Sequence, residues 1–318
     1  MKRRTLLFLL LSFAAATALA QFPARPIKIV VTIPPGGAPD IAARIIGQKL
    51  QESLGQPVVV ENRPGANGNL AASEVARAPA DGYTLILAAD SLIAINPHLY
   101  AKMPIDTLKD LAPVASLVAN QFVLSVNPSL PVKTFQEFVE HARKSNPPLN
   151  YASGGNGSQH QMTMEMLKAR AGINLVHVPY RGGAPATTAT MAGEVAAMFA
   201  GTSTAPQIKA GRLRALATSG AKRSTAFPAL PTIAEFYPGF ENSIWLGLFG
   251  PAGLPKDVLD KLRMEIRKAL ELTETRDKLH AAGGLEPFVT TPEEFSSLVR
   301  RDYDRFGKLI KEVGIKAD

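Results

Sequence analysis

From residue 27 onward the chain alternates between two hydrophobic periods. Ile27-Lys28-Ile29-Val30-Val31-Thr32-Ile33 is almost wholly β-branched, the signature of a strand over 27–33 that is covered on both faces. Ile41, Ile45 and Leu50 then recur at helical spacing, which predicts a helix over 39–54 stopped by Gly55. A strand over 57–61, a helix over 69–77 and a strand over 83–88 follow, the last two separated by the turn Pro79-Ala80-Asp81-Gly82. This β-α-β-α-β series implies a parallel sheet. A short helix is expected over 91–99.

The run 114–127 is β-rich, has no helix beside it and is longer than a typical strand, so it is expected to pass between two lobes. A helix over 134–144 opens a second α/β series. It comprises a strand at 149–152, a helix at 158–171, a strand at 175–178, a helix at 185–192 and a strand at 195–199. The strand 213–218 is a candidate for the return crossing, and the proline-rich stretch 228–239 is expected to be irregular. A strand at 244–249 and helices at 256–272, 273–282 and 292–313 complete the chain, the last opened by Thr291 as N-cap and Pro292 at its first position. The expected architecture is α/β with two lobes and a two-strand hinge. Residues 21–121 and 225–318 form the first lobe and 122–224 the second, each boundary good to about ten residues.

The N-terminus changes where this molecule is expected to work. Met1-Lys2-Arg3-Arg4, the apolar run 6–11 and Ala18-Leu19-Ala20 have the form of a secretory signal peptide over 1–20, cleaved after Ala20. The mature protein is then expected in the periplasm. The chain has no cysteine, which excludes a lipid anchor on cysteine, disulfides and thiol chemistry. Its formal charge of +8 is spread among acidic residues, as in Lys261-Leu262-Arg263-Met264-Glu265, so solvated helix faces are expected and no nucleic-acid partner. A mildly positive surface can steer anions toward a cleft. The histidines are scattered, no metal-ligand spacing occurs, and G-x-S-x-G is absent, so no metal, no cofactor and no catalytic residue is expected.

The distinctive chemistry lies at three strand-to-helix turns. The first is Pro34-Pro35-Gly36-Gly37-Ala38-Pro39-Asp40, where the glycines let backbone N–H groups approach a guest and Asp40 sits at the positive end of a helix dipole. No Lys-Ser/Thr follows, so it is not a Walker loop. The second is Ser153-Gly154-Gly155-Asn156-Gly157-Ser158-Gln159-His160, with Ser158 a natural N-cap. The third is Tyr180-Arg181-Gly182-Gly183-Ala184-Pro185. All three follow strands of parallel units, where ligands bind, so together they can form an anion cradle shared between lobes. Arg181 is either a carboxylate clamp or a surface residue. Asp90 is either an N-cap or a ligand contact, and His160 either structural or a ligand contact.

These residues carry a resemblance. Pro35-Gly36-Gly37 with Asp40, Val60-Glu61-Asn62-Arg63-Pro64-Gly65-Ala66, Ala80-Asp81-Gly82-Tyr83-Thr84, Tyr151-Ala152-Ser153-Gly154-Gly155-Asn156-Gly157-Ser158 with His160, Val178-Pro179-Tyr180-Arg181-Gly182, Ala210-Gly211-Arg212-Leu213 and Pro251-Ala252-Gly253 occur in order across the mature chain. In this the sequence resembles the Bug family of solute-binding proteins related to tripartite tricarboxylate transporters. The resemblance implies a type II periplasmic binding-protein fold. It also implies a carboxylate held between the lobes by Pro35, Gly36, Gly37 and Asp40; by Ala89, Asp90 and Ser91; by Ser153, Gly154, Asn156, Gly157, Ser158 and His160; and by Tyr180, Arg181, Gly182 and Gly183. The implied partners are a small di- or aromatic carboxylate and membrane permease subunits, and a monomer is expected. Where the family commonly has Asp after the strand 195–199, this chain has Ala200. Its site is therefore expected to lack an acidic partner for an ammonium group and to prefer acids without an amine. Presentation of the closed form to a sensor ectodomain is an alternative to transport. An exported hydrolase, distinguished by turnover, and a chaperone, distinguished by the lack of saturable ligand stabilisation, are more distant ones.

Overall fold

The computed structural model describes residues 22–282 and 284–315. The expected signal peptide lies outside them. The first lobe opens with β1 (Ile27–Val31), α1 (Ala38–Leu54), β2 (Val58–Asn62), α2 (Asn69–Ala76) and β3 (Thr84–Ala89). β1 pairs in parallel with both β2 and β3, as the alternation of strand and helix required. Ile27, Ile29 and Val31 face α1 and its Ala42, Ala43 and Ile46, while Val30 faces Ala71, Ala72 and Val75 of α2. That two-sided cover is why β1 carries an unbroken apolar run. α1 ends as expected at Gly55, whose φ of 69° closes the helix onto Gln51. The segment after β3 is a π-turn, Ser91–Ile95, running into a single helical turn, α3 (Asn96–Leu99).

β4 (Leu111–Val126) is one continuous strand of 16 residues, longer than expected. Its first part belongs to one lobe and its last part to the other. The second lobe contains α4 (Phe135–Lys144), β5 (Asn150–Ser153), α5 (Gln159–Ala171), β6 (Val176–Pro179), α6 (Gly183–Ala192), β7 (Ala197–Gly201), α7 (Ala205–Lys209) and β8 (Arg214–Thr218). Phe135 and Phe138 of α4, Met164 and Leu167 of α5, and Phe122, Tyr151 and Phe199 from the sheet form its main core. The chain returns through β9 (Ser243–Pro251), then α8 (Lys256–Glu271), α9 (Thr273–Ala281), β10 (Glu286–Pro287) and α10 (Pro292–Val313). α10 begins at the expected cap: Thr291 accepts from Glu294 N–H, and Glu294 reaches back to Thr291 N–H.

The strands form one curled sheet in the order β2-β1-β3-β9-β4-β7-β5-β6, with β8 and β10 also pairing β4. Both lobes therefore share one strand order, β2-β1-β3-β9-β4 in the first and β6-β5-β7-β4-β8 in the second, although no repeat is visible in the sequence. The return crossing differs from expectation. β8 stays in the second lobe, paired with Val123–Val126 of β4 and bridged at Thr218 to Thr232, and it is β9 that runs antiparallel to β4 from Gln121 back to Leu111. The two hinge strands are thus β4 and β9. The irregular stretch before β9 also lies later in the second lobe than the boundary at 225 anticipated, because Ile233, Phe236, Tyr237 and Phe240 pack with Phe135. An apolar cluster bridges the lobes beside the hinge: Met162 of α5 meets Ile95, Leu99 and the α10 residues Phe306, Leu309 and Ile310.

Candidate functional site

In the second lobe, the loop after β5 folds onto itself before it offers anything to a guest. Ser158 caps α5 by accepting from Gln161 N–H at 3.4 Å, as its position predicted. Gly155 N–H donates to Ser153 Oγ at 3.0 Å, Ser158 N–H to Gly155 O at 3.1 Å, and Gly157 N–H to Gln161 Oε1 at 2.7 Å. The expected row of free amides is therefore largely spent within the loop. The Ser158 hydroxyl proton and the N–H of Gly154 are not used in these bonds.

The loop after β6 lies against it. A Cβ on Gly154 would stand 3.4 Å from the Gly182 carbonyl carbon, and one on Gly155 would stand 3.3 Å from Tyr180 O. His160 fills the angle between the two loops. Its Nδ1 would be 3.1 Å from a Cβ on Gly154, and its Nε2 3.1 Å from a Cβ on Gly183, so both positions are glycine because an imidazole edge occupies the side-chain space. The ring leans on Phe122, with centroids 5.0 Å apart. Nδ1 is buried without a hydrogen-bond partner, and burial lowers the His160 pKa to about 4, so the ring is neutral at neutral pH. Gly182 has φ 113°, closed to side-chain-bearing residues, and its N–H is taken by Tyr180 O at 2.9 Å. Gly183 and Ala184, in the first turn of α6, supply this loop's donors. Arg181 beside them is exposed and, among the described residues, forms no ion pair.

In the first lobe, Asp40 is an organiser of the turn. Its buried carboxylate accepts from Gly36 N–H at 2.9 Å, from Arg44 Nε at 3.0 Å and from Asn62 Nδ2 at 2.9 Å. Burial pushes its pKa up, but the bonds from Arg44, Gly36 and Asn62 outweigh it and hold the carboxyl below its usual range. With Gly36 committed and Pro34, Pro35 and Pro39 lacking an N–H, the amides of Gly37 and Ala38 are what this turn can offer. A Cβ on Gly37 would lie 2.2 Å from Ile33 Cδ1, so a larger residue there would have to turn the end of that side chain aside. A fourth glycine-rich loop follows β2. A Cβ on Gly68 would touch Thr32 at 3.0 Å and Leu92 at 3.4 Å, and Asn96 donates to Asn69 Oδ1 and to Asn67 O. Its sequence signal is the spacing Gly65-Ala66-Asn67-Gly68.

The two halves meet on the segment that begins at Ala89. Ser91 opens the π-turn, and Asp90 is fully buried beneath it. Asp90 Oδ2 accepts from Gln159 Nε2 across the lobes, Gln159 Oε1 accepts from Asn242 Nδ2 at 3.1 Å, and Asn242 also donates to Thr163. Burial, and then the nearby Asp302 charge, push the Asp90 carboxyl well above its usual range. Asp90 thus stands at the N-cap position without a side-chain cap bond and joins the lobes through Gln159. Gly157 rests on Leu99 of the first lobe. So the segment 90–99 is touched by Gly68 from one side, at Leu92, and by Gly157 and Gln159 from the other, at Leu99 and Asp90, while the loop 180–184 lies against 153–160.

Two expectations are corrected by orientation. Tyr180 packs its ring against the apolar cluster that includes Ala152, Ala186 and Ala189, and its hydroxyl donates to Glu194 at 3.3 Å, which draws the side chain away from the loop. Ala200 is fully buried on the same face of the sheet, with Met198 and Val178, and lines no opening. Its methyl fills apolar space and is not placed to touch a guest. Gln159, Gln161 and His177 were missed; their signal is three-dimensional, since Gln and His near a helix start carry no pattern of their own.

Comparison with known proteins gives a consistent result. The profile of the tripartite tricarboxylate transporter family receptor matches residues 42–315. The solved structure of Rpa4515 of R. palustris with adipate is 33% identical and superimposes with a TM-score of 0.81 over 93% of this chain and 99% of that one. The periplasmic binding protein BugD is 30% identical, with a TM-score of 0.77 over 93% of this chain and 100% of that one. MatC of Rhodopseudomonas palustris with bound malate is 31% identical, with a TM-score of 0.75 over 91% of this chain and 100% of that one.

Proposed function

The chain belongs to the tripartite tricarboxylate transporter receptor family, and from that membership we propose that it is a periplasmic carrier that captures a small organic dicarboxylate between its lobes and hands it to membrane permease subunits. The observation that supports this most directly is the closure of two glycine loops around a neutral His160 whose Nδ1 has no partner, with the exposed Arg181 at their rim. One carboxylate end meets the α6 amides, the Ser158 hydroxyl and Arg181; the other meets the amides at the start of α1. A charge-assisted hydrogen bond contributes about 1.5–3 kcal/mol, so a few of them reach the roughly −8 kcal/mol of micromolar binding after association costs. Adipate and malate, found in two relatives, both have carboxylates at either end. Closure follows from the better fit of the guest to the joined lobes, with Gln159–Asp90 as the contact between them.

The test is a thermal-shift and calorimetric series on the mature protein with malate, adipate, shorter and longer dicarboxylates, phthalate and aspartate. A ligand at a hundred times its Kd stabilises by about 2.7 kcal/mol, and it is recovered chemically unchanged. Absence of saturable stabilisation by any carboxylate rejects the proposal, and conversion of the ligand redirects it to an enzyme.

A further inference from the structure

The second carboxylate loop is braced from behind by a side chain that the function above does not use. Gly157 N–H donates to Gln161 Oε1 at 2.7 Å. Gln161 Nε2 lies 3.1 Å from His177 Nδ1, and His177 Nε2 lies 2.6 Å from Ser153 Oγ. Ser153 in turn accepts from Gly155 N–H at 3.0 Å and donates to Gly155 O at 3.1 Å. His177 on β6 thus connects both ends of the loop.

The donors and acceptors fix the state of the ring. Gln161 has committed its oxygen to Gly157, so it faces His177 with its NH2, a donor only. Nδ1 must accept, which places the single ring proton on Nε2. The Ser153 proton is committed to Gly155 O, so its oxygen is free to accept that Nε2–H. An imidazolium cannot fit. Its Nδ1–H would oppose the Gln161 NH2, and turning that amide over would set the NH2 against Gly157 N–H instead. One donor is left unpaired in either arrangement, in a partly buried place where an unpaired donor is costly.

The groups facing the ring are Tyr151 from β5 and Glu165 and Lys168 from α5. Tyr151 stacks on it with centroids 5.0 Å apart and donates to Glu165 Oε1 at 2.6 Å; Lys168 Nζ pairs with that same oxygen at 2.8 Å. Burial lowers the His177 pKa; Glu165 opposes that and Lys168 reinforces it.

We propose that His177 is a positioning residue for the carboxylate loop: it locks residues 153–157 in place only as the neutral Nε2–H imidazole and frees them when it gains a second proton. This rests on the loop being part of the ligand site, as proposed above. Acidification then lowers ligand affinity through loss of loop order, with no titrating group touching the ligand.

The experiment uses the unliganded mature protein, so that it does not depend on knowing the guest. Long-range 1H–15N spectra of labelled histidines report the His177 tautomer, and amide exchange corrected for intrinsic rate reports Gly155 and Gly157, between about pH 8 and about pH 5. The expected result is a proton on Nε2 at the upper end, and a fall of about tenfold in Gly157 protection that follows the His177 titration, the size of one lost hydrogen bond. His177→Phe keeps the stack on Tyr151 and should show the low protection at every pH. His177→Gln, which restores a donor toward Ser153, should recover part of it without the pH step. An Nδ1–H tautomer, or Gly157 protection that ignores the His177 titration, overturns the proposal even if His177→Phe does not fold. Wild-type protein that shows the step but binds neither malate nor adipate counts against the proposed ligand class and not against this role.

Discussion

Gly157 offers a direct test of how the lobes meet. It holds φ 74°, and a Cβ there would stand 2.1 Å from Leu99 Cδ1 of the opposite lobe, where carbon atoms normally approach to about 3.5–4.0 Å. Leu99 is buried against Ile95, Met162 and Phe306, so its methyl has little room to turn away. Gly157→Ala should then carry two costs: about 1–2 kcal/mol for a left-handed non-glycine residue, and about 1–3 kcal/mol for overpacking at the junction. Leu99→Ala removes only the second. Equilibrium urea unfolding of wild type, both single variants and the double variant, followed by the emission of Trp245, the chain's one tryptophan, closes the cycle. The expected coupling is about 1–3 kcal/mol, with the double variant more stable than the sum of the single changes implies. If Gly157→Ala costs the same in both backgrounds, the two lobes do not touch there, and the junction at Leu99 is refuted.

Two further outcomes follow from the charge states. His160 has its pKa lowered to about 4 by burial against an ordinary 6.5, so the folded protein binds fewer protons than the unfolded chain between these values. Stability is fully present above about pH 6.5 and lost as pH falls toward about 4, by about 3 kcal/mol; acid titrations of wild type and His160→Gln should differ by that sigmoid, and identical profiles would show the ring is not enclosed. Ser158→Asp keeps an acceptor at the N-cap of α5 while adding a negative charge beside the Gly154 turn. Helix content and melting should hold, while affinity for the best dicarboxylate in the calorimetric series drops about tenfold or more; unaltered affinity would remove that loop from the site.

Much of the fold was legible because its signals are local. β-Branched runs, the 3.6 spacing of Ile41 and Ile45, Gly55 as a stop, and Thr291 with Pro292 each act within a few residues, and all lie at or within a few residues of their expected places. The length of β4 also pointed correctly to a strand shared by two lobes. What failed was non-local. Nothing in 213–218 says that it pairs with Val123–Val126 and stays in the second lobe, nor that Phe236 and Tyr237 pack on Phe135. At the candidate site, glycine-rich composition pointed to loops at 153–160 and 180–184 that the fold brings together, but it overstated their free amides. Ser153, Gln161 and Asp40 occupy several of those donors, and such pairings arise only when side chains from different elements meet. Tyr180 looked like a ligand contact by its place in the chain; the packing against Ala152, Ala186 and Ala189 and the reach to Glu194 decided otherwise.

α5 has its tip in the loop 153–158 and its flank, at Met162, lodged against Phe306, Leu309 and Ile310 of α10. Met162 is three residues from the first residue of the helix, about 4.5 Å along its axis, so tip and flank belong to one rigid turn. Whatever displaces its tip must therefore tilt the flank as well, so the molecule behaves as a lever with its fulcrum in the wall formed by the last helix. Shaving that wall, as at Phe306, would alter how far the jaws swing without touching anything the guest can feel.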